Sequence, residues 1–86
     1  MSDDGSTGPS MTDLIAYLAK ALVDRPDEVE VESFDEDDAE VIELTVARED
    51  LGKVIGKQGR TARALRTVLS AASTRQHRRA VLEILE

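Results

Sequence analysis

Apolar and polar residues alternate along this chain with two different periods, and the changes of period mark its elements. From Thr12 to about Asp24, Ile15, Leu18 and Leu22 recur every three or four residues, with Leu14 and Ala21 beside them. That spacing is one face of a helix. Ser10 or Thr12 supplies a cap for its first turn, and Pro26, which disfavours helical geometry at Arg25, ends it. From Glu28 to Phe34 the period falls to two, as Glu28-Val29-Glu30-Val31-Glu32, which predicts a half-buried strand with its acids facing water. Asp35-Glu36-Asp37-Asp38 is too charged to pack and reads as the hairpin loop. Glu40 to Ala47 is the second strand, with Ile42, Leu44 and Val46 on one face.

The helical period then returns. Glu49-Asp50 opens a short helix, where acids suit the positive end of the dipole, and Leu51 to Ile55 forms it. Gly56 to Gly59 breaks it. Arg60 to about Thr74 is a longer helix with Ala62, Leu65, Val68, Leu69 and Ala72 as its apolar stripe. Arg75 to Arg79 is a basic connection, and Ala80 to Leu85 is a last strand. The predicted order is α-β-β-α-α-β. Three strands sharing one face with three helices make a two-layer α+β domain over 11–86. Met1 to Ser10, polar and rich in Gly, Ser and Asp, is expected to be a flexible tail.

Charge changes this picture more than composition does. The net charge is −7, which by itself argues against nucleic acid. Yet residues 1–50 carry 16 acids and 3 bases, whereas residues 51–86 carry 8 bases and 2 acids. The asymmetry describes a basic binding segment on an acidic body, or bases collected on one solvated helix. There are no cysteines, which excludes disulfides and thiolate metal sites. The single histidine, His77, builds no metal site alone and reads as a solvated turn residue. No cofactor and no catalytic group is expected. No apolar run approaches the roughly 20 residues that span a bilayer, and Met1 to Gly5 lacks the features of a signal peptide. The expected location is the cytoplasm, with no membrane partner.

The candidate chemistry lies in Leu51-Gly52-Lys53-Val54-Ile55-Gly56-Lys57-Gln58-Gly59-Arg60. Glycines at both ends of a two-residue insert permit positive φ and let another backbone come close. The amides that open the next helix are unpaired and sit at its positive end, a natural place for a phosphate. Lys57 and Arg60 add mobile charge there, and Val54 and Ile55 offer an apolar surface on which a base can rest. Arg63, Arg66 and the Arg75 to Arg79 run are expected to assist phosphate contact less decisively. A plain helix-turn-helix corner also uses glycine, so the tetrapeptide alone does not decide. A nucleotide-hydrolysing P-loop is excluded: Gly52 and Gly56 have three residues between them rather than four, and Gln58 stands where a magnesium-binding hydroxyl is required.

Val54-Ile55-Gly56-Lys57-Gln58-Gly59 resembles the V-I-G-x-x-G signature of KH domains, and the element order resembles the type II, bacterial form of that fold. With Ala19 to Asp24 and Pro26 to Val29, the chain is similar from Met11 to Glu86 to KhpA, the family of small stand-alone bacterial KH proteins. The resemblance implies that single-stranded RNA, about four nucleotides of it, is clamped at the GXXG loop. The implied site is Val54, Ile55, Gly56, Lys57, Gln58, Gly59, Arg60 and Arg63. It also implies an RNA chaperone that works with a larger KhpB-type KH protein, self-association, and a part in cell shape and envelope homeostasis.

Aromatic platforms, which many single-strand binders use, are scarce. Tyr17 is expected to be partly packed on its helix and Phe34 to be core or edge. Binding then rests on the loop backbone, charge and the Val54-Ile55 surface. A single such site is weak, and a second KH unit, in a homodimer or a KhpB-type partner, raises avidity. The alternative is a protein–protein module with a vestigial GXXG turn, for which Ala62, Ala64, Ala71 and Ala72 permit close helix packing.

Overall fold

The computed structural model describes residues 10–86. The expectation of a flexible tail falls on Met1 to Pro9, outside the described residues. Ser10 does not belong to a tail: its hydroxyl accepts the Asp13 N–H at 3.1 Å and caps the first helix.

The elements are α1 (Met11–Leu22), β1 (Glu30–Glu36), β2 (Ala39–Thr45), α2 (Leu51–Ile55), α3 (Arg60–Arg75) and β3 (Arg79–Ile84). This is the predicted α-β-β-α-α-β order. β1 lies two residues later than its alternation suggested. Pro26 fixes φ at the first position of a 3₁₀ turn over Pro26–Glu28, so Glu28 joins the turn rather than the strand. The acidic run is likewise not a four-residue loop. Asp35 and Glu36 extend β1, and only Asp37 and Asp38 turn, with Asp37 at φ 56°. Aspartate tolerates that left-handed conformation because its short polar side chain can bond locally.

β2 is the central strand, antiparallel to β1 and parallel to β3. Its parallel neighbour is reached through α2 and α3, as parallel pairing requires a long crossover. In register, Ile42 lies between Ser33 and Leu82, and Leu44 between Val31 and Ile84. These residues point to one face. There they meet Met11, Ile15 and Ala19 of α1, Val54 of α2, and Leu65 and Leu69 of α3 in a single core. All three helices therefore cover the same side of the sheet.

Two packing expectations are corrected. Val68, placed in the apolar stripe of α3, is exposed, and Ser73 is buried in its stead. Ser73 bonds its hydroxyl to the Ser70 carbonyl at 2.9 Å, which satisfies the one polar group that burial would otherwise penalise. Tyr17 is 72% exposed rather than partly packed, because α1 buries the face of Met11, Ile15 and Ala19. Phe34 stands on edge strand β1, solvent-exposed. Among the described residues, no helix is long and apolar enough to cross a membrane.

Candidate nucleic-acid interface

α2 is a single turn and a half, and its position is set from below. Val54 is 0% exposed and anchors α2 to the core. At the other end, the carboxylate of Asp50, buried beneath a 3₁₀ turn over Arg48–Asp50, accepts the backbone N–H of Arg25 at 3.0 Å. The short helix is thus held by one apolar and one polar anchor rather than by its own hydrogen bonds, which are too few.

The break after α2 is sharp. Gly56 has φ 79° and ψ 170°, Gln58 φ 58°, and Gly59 φ 75°. Gly56 donates to Gly52 O at 2.8 Å, and Gly59 donates to Gly56 O at 3.1 Å, so the loop is closed on itself. The two glycines serve different ends. A Cβ at Gly56 would lie 2.7 Å from the backbone nitrogen of Thr61, too close for any side chain, whereas around Gly59 there is open space within 4 Å. Gly56 lets α3 begin against α2; Gly59 leaves room for something outside the protein. No side chain caps the first turn of α3; its first N–H, that of Arg60, donates instead to Lys57 O through a 3₁₀ turn over Lys57–Gly59.

Val54 and Ile55, expected to offer one apolar surface, are separated in the structure. Val54 is wholly inside and offers nothing to a base. Ile55 is half-buried and forms part of a cleft of about 450 Å³, together with Gly59, Ala62, Arg63, Arg66, Ile84 and Glu86. Ile55, Ala62 and Ile84 give it apolar surface, and Arg63 and Arg66 stand exposed beside them. Lys57, Gln58 and Arg60 are exposed on the loop and the first turn of α3. Ala62 and Ile84 were not among the residues singled out for the site, and Arg66 was expected only to assist phosphate contact. Arg66 follows Arg63 by three positions and is legible as its helical neighbour. Ile84 is not legible, because only the return of β3 alongside α3 brings it to Ile55.

The basic half of the sequence does not form one patch. Lys53 is 3.3 Å from Asp24 and 3.8 Å from Asp50. Arg78 pairs with Asp35 and lies 3.7 Å from Glu40. Arg75 and Arg79 also lie at the far end of α3, whose 16 residues place them about 24 Å from the loop at 1.5 Å per residue. The acidic hairpin stands beside them, since Arg79 is in register with Ala39. The expected help from the Arg75 to Arg79 run is therefore not available at the loop. By contrast, Lys57, Arg60, Arg63 and Arg66 make no ion pair among the described residues. Among those residues there is also no cluster of His, Cys, Asp and Glu able to hold a metal ion.

A three-stranded mixed sheet covered on one face by three helices, with a glycine-bounded corner opening the last of them, is a KH domain. A family model described as the KhpA/KhpB KH domain matches residues 12–84. The RNA-binding protein KhpA of Clostridium acetobutylicum is 51% identical over 75 residues, covering 87% of this chain and 100% of the relative. KhpA of Treponema pallidum is 55% identical over 74 residues, 86% of this chain and 92% of the relative. The chain belongs to the KhpA/KhpB KH-domain family. Solved structures of Era share the fold alone. Aquifex aeolicus Era matches with a TM-score of 0.61 and 22% identity over 98% of this chain and 33% of Era. Era with MgGDPNP and a segment of 16S ribosomal RNA matches with 0.59 and 19% over 96% of this chain and 35% of Era.

Proposed function

We propose that this chain binds single-stranded RNA, holding the backbone over Gly56 to Gly59 and laying bases into the cleft of Ile55, Ala62 and Ile84. One observation carries the reading. The four bases at this end of the molecule without an ion-pair partner among the described residues, Lys57, Arg60, Arg63 and Arg66, gather at a loop whose helix start has no side-chain cap. Phosphate contacts of this kind supply affinity that is salt-dependent and tolerant of sequence. The names of the relatives, RNA-binding proteins, support it.

The finer role rests on family resemblance and on weakness of the site. With few contacts and an acidic body, one domain grips RNA loosely. A loose, sequence-tolerant grip suits an RNA chaperone, and a KhpB-type KH partner or a second copy supplies avidity. Roles in cell shape and envelope homeostasis, in the cytoplasm, complete the reading. No catalysis is assigned.

The test is the double change Lys57→Asp and Gln58→Asp. Both side chains are exposed, and aspartate tolerates the left-handed φ of position 58, so the fold should survive. At about 4 Å and an effective dielectric near 20, each new repulsion with a phosphate is worth about 4 kcal/mol before screening. Loss of fluorescence-anisotropy binding to a short single-stranded RNA, with an unchanged thermal melt, is the expected result. A variant that melts and binds like the parent would replace this reading with the protein-interaction module.

A further inference from the structure

The three helices share one side of the sheet, and among the described residues no element covers its other face. The register writes two rows across that face. Glu32, Glu43 and Glu83 are direct neighbours on the three strands, and so are Phe34, Val41 and Val81. The two rows are two residues apart along each strand, so all six side chains leave the same face. Core residues Ile42, Leu44 and Leu82 belong to the opposite one.

Both rows break the rule for a solvated sheet face. Like charges directly opposite one another destabilise a sheet, and none of the three glutamates has an ion-pair partner among the described residues. Phe34 is 46% and Val81 39% exposed, and Val41 is buried between them on the face away from Ile42 and Leu44. Local conflicts of this kind, retained without a structural gain, mark functional surfaces.

We propose that this face docks a cationic, extended segment of a partner protein, with an apolar side chain on the Phe34-Val41-Val81 row and arginine or lysine over the glutamates. Charge selects that occupant. RNA is repelled by the carboxylates. A second copy stacked face to face would set glutamate row against glutamate row. A second copy docked through Lys57 and Arg60 would consume its own loop. Successive same-face residues of an extended segment are about 6.8 Å apart, which matches the spacing of the two rows. Along β1, Glu30 and Glu36 continue the acidic face on either side. The proposal is independent of RNA binding, since the sheet face and the loop are separate surfaces.

The test uses the full chain and a fluorescently labelled peptide, Arg-Thr-Arg-Thr-Leu-Thr-Arg. Binding should perturb backbone amide resonances at residues 32–34, 41–43 and 81–83 and spare Gly56 to Gly59. The double change Glu43→Gln and Glu83→Gln, and separately Phe34→Ser, should each weaken the peptide about tenfold, equivalent to about 1.4 kcal/mol. The first of these relieves repulsion and should melt no lower than the parent. Asp13→Asn with Asp27→Asn removes the same charge elsewhere and should cost less than about twofold, as expected of screened exposed charges. Equal weakening by that control, resonance changes centred on the loop, or no binding would overturn the proposal. So would self-association of the protein that both the Glu43/Glu83 pair and Lys57→Asp abolish, which would make a second copy the occupant.

Discussion

The carboxylate of Asp50 and the backbone N–H of Arg25, 25 positions apart in sequence, meet at 3.0 Å beneath the start of the GXXG helix. Arg25 precedes Pro26 and is held outside helical geometry, at φ −120° and ψ 73°, so its amide is free to point inward. Asp50 is 1% exposed. The bond ties the exit of α1 to the entry of α2 and so fixes the base of the loop.

Replacing Asp50 by alanine should therefore destabilise the domain. It leaves the Arg25 amide without an acceptor, which costs about 1–3 kcal/mol when the group is buried. Asn at this position keeps an acceptor and should lose less. The Lys53 contact at 3.8 Å, to a lysine 44% exposed, adds little. Urea melts of the two variants check the order.

The two loop glycines should respond differently. Gly56→Ala drives a Cβ into the Thr61 backbone and should both unfold the corner and abolish RNA binding. Gly59→Ala meets open space and bears only the cost of its positive φ, about 1–2 kcal/mol, and Gly59→Asn should cost less still. Thermal melts with RNA titrations on the same samples separate the cases.

Arg63→Gln or Arg66→Gln should lower the slope of log affinity against log salt by about 0.7 per lost phosphate contact with single-stranded RNA. Base preference should hardly change. Arg78→Gln, whose side chain is engaged with Asp35 and Glu40, should leave that slope as it was. Anisotropy titrations across a salt series test all three.

Glu43→Gln should raise stability by a few tenths of a kcal/mol, the magnitude of a cross-strand like-charge pair. The gain should shrink in high salt, where exposed charges are screened. Thermal melts at two ionic strengths measure it. No gain at low salt would show that the glutamate row is already compensated.

The elements of this protein and the location of its loop were legible in the sequence because both depend on local rules. Period-two and period-3.6 patterns follow from side-chain direction. Gly56 and Gly59 mark positive φ whatever the rest of the chain does. Boundaries at Pro26 and Asp37 were misplaced by about two residues because local turns, not apolar alternation, set them there. What only the tertiary structure decided is which neighbours in sequence are neighbours in function. Val54 and Ile55 adjoin, yet helical rotation sends one into the core and the other to the cleft. The eight bases after residue 50 read as one patch. α3, about 24 Å long at 1.5 Å per residue, carries Arg75 to Arg79 away to the acidic hairpin and leaves Lys57 to Arg66 at the loop. Ile84 reaches Ile55, and Glu83 reaches Glu43, only because β3 pairs in parallel with β2. Strand register is a long-range choice made by the buried face, so no local pattern could have announced what it assembles on either side of the sheet.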